Sequence, residues 1–130
     1  MANAIYPKAK EKFLDALIDI PSDTIKIALI DTGTYTYNSA DEFWSSASSA
    51  IVGTAATLAS KTITNGVFDA ADTSWTTSTI TARGAVLYKE RGGADSANEL
   101  LCYIDFGSDK TSSGGTFQIT WHADGILYIG

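Results

Sequence analysis

Hydrophobic residues change their spacing once along this chain, near residue 21. Before that point Tyr6, Ala9, Phe13, Leu17 and Ile20 recur at three- and four-residue steps, with Leu14 and Ile18 beside them and lysines opposite. This period predicts an amphipathic helix over about 6–19, within an N-terminal segment 1–20. Pro7 suits the first helical turn and Pro21 stops the helix. After it the period falls to two. TIKIALIDTG (24–33) is a β-branched run that reads as a central strand.

Ser39 and Glu42 stand three apart ahead of an apolar pair, a capping box that predicts a short helix near 40–47. SSASSA and Gly53 read as a loop. LASKTIT and GVFDA are joined through Asn65-Gly66, a strong hairpin signal. SWTTSTI predicts a further strand. ARGAVLYKE (82–90) is apolar on both phases, as in a strand buried on both faces, and ELLCYIDF (99–106) follows RGGADSANE as its hairpin partner. GSDKTSSGG reads as a flexible loop. TFQITWHA alternates with Phe117, Ile119 and Trp121 on one side, and Asp124-Gly125 turns the chain into a last strand, ILYIG. Seven or eight short strands with turn signals about every ten residues predict a mainly β fold. The expected architecture is a small antiparallel β-sandwich, 24–130, preceded by the helix as part of one domain.

Composition narrows what such a fold does. Charged residues make 18% of the 130 residues, and serine, threonine and glycine fill the gap, as suits polar outer faces of strands. The net charge of -6 lacks the clustered cations that duplex DNA requires, so nucleic acid is not an expected partner. No stretch has the length of a membrane span, and the charges Lys8, Lys10, Glu11, Lys12 and Asp15 interrupt any signal-peptide core. The reading is a mature cytosolic N-terminus with no membrane association.

The chemistry-bearing residues are few. Cys102 is the single cysteine, so no intrachain disulfide forms, and in its apolar run it reads as a small hydrophobe. His122, the single histidine, falls on the polar phase of its strand. Zinc needs three or four ligands, which these two residues do not supply. Asp69 and Asp72, three apart in VFDAADTSW, lack the ligand frame of a calcium loop and the opposed placement of a glycosidase pair. They read as turn-shaping residues. No G-x-S-x-G elbow occurs, and Gly92-Gly93 and Gly114-Gly115 do not open a helix after a strand. The expectation is a non-enzymatic protein with no cofactor and no metal. For partner contact the chain offers Lys8, Lys10 and Lys12 on the helix, and Tyr35 and Tyr37, alternate aromatics in a polar threonine stretch.

The order of phrases adds a setting. An opening YPK helix is followed by IALIDTGTYTYNSADEFW and TLASKTITNGVFDAADTSWT. Then come ARGAVLYKE, LLCYIDFG and GTFQITWHADGILYI. Over nearly the whole chain this series resembles small virion proteins of tailed phages, and most closely head decoration, or cement, proteins. The resemblance implies a structural protein that is assembled in the host cytoplasm and resides on the capsid surface of the virion. There it would bind the outside of the major capsid protein lattice as a homo-oligomer, a trimer or a dimer. The alternative is a glycan- or receptor-binding module of the tail or fibre, acting through Tyr35 and Tyr37. The motifs are structural phrases rather than catalytic ones.

Overall fold

A computed structural model describes residues 3–121 and 125–128. Eight strands among these residues form two antiparallel sheets: β1 (Ala4–Ile5), β2 (Ile25–Ile30), β3 (Ile51–Thr57), β4 (Thr62–Thr64), β5 (Val67–Asp69), β6 (Thr73–Lys89), β7 (Leu100–Ile119) and β8 (Leu127–Tyr128). The larger sheet runs β1-β7-β6-β2-β3 and the smaller β4-β5-β8. One helix, α1 (Pro7–Leu14), lies between β1 and β2, and the mainly β sandwich with an N-terminal helix is the architecture that the two hydrophobic periods predict.

The half of the large sheet built from β2, 84–89 of β6 and 100–104 of β7 is buried on both sides. Ile25, Ile27, Leu29, Ala85, Leu87 and Cys102 point into one core. Their neighbours Ala28, Ile30, Val86, Tyr88, Leu100 and Tyr103 point into a second core on the opposite face. Leu101 is the extra residue of a bulge between the pairs Tyr88↔Leu100 and Leu87↔Cys102, and its side chain joins the first core.

The β6–β7 ribbon then bends. Four residues of β7, 106–109, lie opposite Arg83 alone, because Ala82 pairs with Lys110 while Gly84 pairs with Asp105. Gly107, at φ 80, makes the turn; its N–H donates to Asp105 Oδ1 (2.8 Å) and its carbonyl accepts from Arg83 Nη2 (3.1 Å). Beyond the bend Trp75, Ile80, Phe117 and Ile119 pack back on the first core with Phe68 of β5. GSDKTSSGG is therefore not a loop: it lies in β7, and Lys110–Ser113 pair with Thr79–Ala82. The alternation of Phe117, Ile119 and Trp121 is real, with the first two buried and Trp121 partly so.

Other elements differ from their predicted bounds for local reasons. The helix ends at Leu14 because Ala16 takes φ 58 and closes a Schellman turn, with Ala16 N–H bonded to Phe13 O (3.2 Å) and Leu17 N–H to Lys12 O (2.9 Å). That turn frees Ile18 and Ile20 to enter the first core, while Tyr6 and Ala9 enter the second. Pro21 falls in a later turn. Ser39 caps nothing: only a single 3₁₀ turn forms, Trp44–Ser46, with no side-chain cap. The chain at 42–44 is instead held extended, with Phe43 bridged to Glu99 and Trp44 N–H bonded to Asn98 O (2.7 Å). Gly53 belongs to β3 rather than to a loop and occupies a bulge at φ 73. Asn65 (φ 52) and Gly66 (φ 78) form the predicted hairpin turn between β4 and β5, with Thr64 opposite Val67.

Candidate interaction surfaces

Asp31 decides where the DTGTYTY stretch goes. Its carboxylate accepts the Gly33 N–H (3.0 Å) and the Thr34 hydroxyl (2.9 Å), and its carbonyl accepts the Tyr35 N–H (3.0 Å). The chain so wrapped sends Tyr35 inward. Its ring is 6% exposed, and its hydroxyl donates to Asp41 Oδ2 (2.8 Å) while accepting from Tyr6 (2.7 Å between hydroxyls). Tyr37, half-buried, lies 5.0 Å from the Tyr6 ring and 5.7 Å from Tyr103. The expected partner contact through these tyrosines is thus corrected at Tyr35, which presents no open face, and the pair belongs to a tyrosine cluster on the second core. Burial pushes the Tyr6 and Tyr35 hydroxyls well above the usual phenol range, and the bond between them holds Tyr6 there. Tyr6, Tyr103 and Asp41, which complete the cluster, share no short-range pattern with DTGTYTY.

The helix lysines are spread rather than gathered. Lys8 pairs with Glu11 (3.1 Å) on an open surface, and Lys12 pairs with Glu42 (3.1 Å) beside the Phe43 ring. Lys10 makes no ion pair among the described residues. Exposed pairs of this kind contribute under about 1 kcal/mol each.

The two aspartates act separately. Asp69 Oδ1 accepts the adjacent Ala70 N–H (2.8 Å), a local contact of the turn. Asp72 Oδ1 accepts the Trp121 N–H (3.0 Å), and Trp121 Nε1 donates to Ala71 O (3.1 Å), so this residue ties two distant segments. Among the described residues no group of three His, Cys, Asp or Glu is placed to hold a metal ion. His122 lies outside the described residues. Cys102 is buried, and burial pushes its thiol up to about 12, so it stays protonated and unreactive at neutral pH.

Two surfaces stand out among the described residues. The first is the outer face of the ribbon beyond its bend. Ser74, Thr76, Thr79 and Thr81 of β6 and Thr111, Ser113, Thr116 and Gln118 of β7 are all exposed, and Thr79↔Ser113, Thr81↔Thr111 and Ser74↔Gln118 are cross-strand partners. None of the chain's 15 acidic residues falls within 73–83 or 110–120, whose only charges are Arg83 and Lys110. The second is apolar. Leu14 is 86% exposed, Leu17 48% and Ile63 46%, next to a groove of about 310 Å³ between the 13–21 segment and the β4–β5 hairpin. No helix among the described residues is long and apolar enough to cross a membrane. No protein-family model, curated protein or solved structure matches the chain.

Proposed function

We propose that this chain is a non-enzymatic structural protein of a tailed-phage virion, a decoration protein that binds the outside of the major capsid protein lattice and stabilises it. The observation that carries the reading is the ribbon's outer face: hydroxyl-lined, built on paired strands, and free of carboxylates in a chain of net charge -6. Such a face can lie flat on another protein, exchanging water for hydrogen bonds without burying a like charge. It is held rigid by Trp75, Ile80, Phe117 and Ile119 beneath it, so little conformational entropy is lost on docking. The resemblance of the chain's successive phrases to phage decoration proteins supplies the setting. The burial of Tyr35 weakens the glycan-binding alternative.

The test mixes the full chain with expanded capsid shells and counts bound copies by quantitative mass spectrometry. A copy number that saturates with the lattice is expected. Thr79→Glu with Thr81→Glu, both at exposed positions, places carboxylates on the face and should abolish loading without unfolding the chain. Shells that stay bare, or a double variant that loads like the parent, would overturn the reading.

A further inference from the structure

Leu14 and Leu17 project from the end of α1, and beside them opens the groove lined by Phe13, Ile18, Ile20, Pro21, Ile63 and Phe68. A knob and a hole on one face are the requirement for a self-complementary contact: turned by a two-fold axis, each copy's leucines meet the other's groove. The unpaired charges around the patch follow the same rule. Lys10 stands one helical turn before Leu14, and Asp15 and Asp19 flank Leu17; none of the three side chains makes an ion pair among the described residues. The neighbouring Lys8, Lys12 and Asp23, by contrast, are each matched within the chain.

We infer that this face joins two copies of the chain in an isologous dimer, with Leu14 and Leu17 of each copy in the partner's groove and Lys10 opposite the partner's Asp15 or Asp19. The face is built for this and not for the capsid-facing role: its rim carries both signs of charge, whereas the ribbon's outer face is hydroxyl-lined and carries no acidic residue. A second copy supplies both an apolar knob and the opposite charge at each point. Those leucines are otherwise left in water, and burying an apolar side chain is the main drive for association. The inference does not depend on the capsid reading.

Sedimentation velocity over a concentration series tests it on the intact chain. The expected species has twice the 13.8 kDa mass of one chain. Leu14→Asp, at a position far from either core, should weaken the dimer about 100-fold or more, since the symmetry removes two contacts at once. Lys10→Asp alone, and Asp15→Lys with Asp19→Lys, should each dissociate it, and the three changes together should restore it. A monomer or a trimer at every concentration would overturn the inference, as would a dimer indifferent to Leu14→Asp. So would a triple variant that stays monomeric. A monomer that still loads onto shells defeats the dimer and leaves the capsid reading standing.

Discussion

The two halves of the β6–β7 ribbon are put to opposite ends. From Gly84 to Lys89 and Leu100 to Ile104, both faces meet a core, and nine of the eleven residues are apolar. From Thr73 to Arg83 and Lys110 to Ile119, one face meets a core and the other shows hydroxyls to solvent. The first half is where the fold keeps its stability. The second spends its buried face on stability and leaves its outer face for contact. Pairing separates them as well as burial: β6 at 84–89 is flanked by both β2 and β7, whereas its outer half, 73–83, is paired with β7 alone.

Removing a core side chain from the first half tests this most severely. Leu87 is fully buried, set between Ile27 and Cys102 across the sheet. Leu87→Ala should cost about 3–4 kcal/mol in urea unfolding, through lost transfer energy and the cavity left behind. The exposed Thr81→Ala in the second half should stay within about 0.5 kcal/mol. Comparable losses at the two positions would erase the distinction.

The loop that closes the first half is next in size. Arg91 donates from Nε and Nη2 to the two oxygens of Glu99, each at 2.6 Å, and Glu99 is 3% exposed. Asn98 joins in, accepting the Arg91 N–H (2.9 Å) and donating to Glu90 (2.9 Å). Burial would raise the Glu99 carboxyl, but the Arg91 guanidinium outweighs it and holds the group below its ordinary value. A carboxyl depressed on folding adds stability that is full above its unfolded value and is lost as pH falls through the folded one. Arg91→Ala strands a buried carboxylate and should cost about 2–3 kcal/mol at neutral pH, the low end for a buried pair because Arg91 is half exposed. With its partner gone, burial leaves Glu99 raised instead, and acidification then relieves the variant. The stability gap to the parent should shrink from pH 7 to about pH 4. A gap constant with pH would show that Glu99 is not what Arg91 holds.

The junction of the halves rests on Gly84, where an added Cβ would meet Ile104 O at 3.0 Å, the Tyr103 hydroxyl at 3.2 Å and Thr32 at 3.3 Å. Two of these neighbours are firmly held, one by the sheet ladder and one by the tyrosine cluster, so the strand cannot easily move away. Gly84→Ala should cost about 1–2 kcal/mol by overpacking, and differential scanning calorimetry would read it as a lower Tm. No loss would mean that the bend has room to relax.

The halves also differ in how far the sequence announces them. ARGAVLYKE and LLCYIDF, apolar on both phases, could only be strands covered on both faces, and the Asn65-Gly66 hairpin and the leading helix were legible from turn chemistry and period. The stretch GSDKTSSGG was not. Its outer face is polar, its partner in β6 lies some thirty residues away, and the bulges at 106–109 and Gly114 break its alternation, so its residues carry only the signature of a loop. The same holds for the surfaces. The spacing of Tyr35 and Tyr37 placed both on one side, yet Asp31 and Asp41 turned that side inward. The apolar stripe of α1 was visible, but the groove beside Leu14 needed Ile63 and Phe68, which only the folded hairpin brings there.

The smallest effect tests whether the hydroxyls of the second half are structural or free for a partner. Ser112, opposite Ile80, has a hydroxyl that accepts the Ile80 N–H (3.2 Å) and donates to the Ser78 carbonyl (3.0 Å), where the ladder is irregular between Ser78 and Thr79. Ser113 is its exposed neighbour on the other face, with no side-chain bond among the described residues. Ser112→Ala should therefore cost about 1 kcal/mol, the usual net worth of such a bond with one backbone donor left short of a partner. Ser113→Ala should cost almost nothing. Equal losses in urea unfolding would trace the effect to strand propensity instead of the bond, because both serines give way to the same weak strand former. An unequal pair separates the ribbon's hydroxyls by role: those of Ser112 and of Thr79, which accepts the Gly114 N–H (3.1 Å), hold the strands together, and outward ones such as that of Ser113 remain available for a partner.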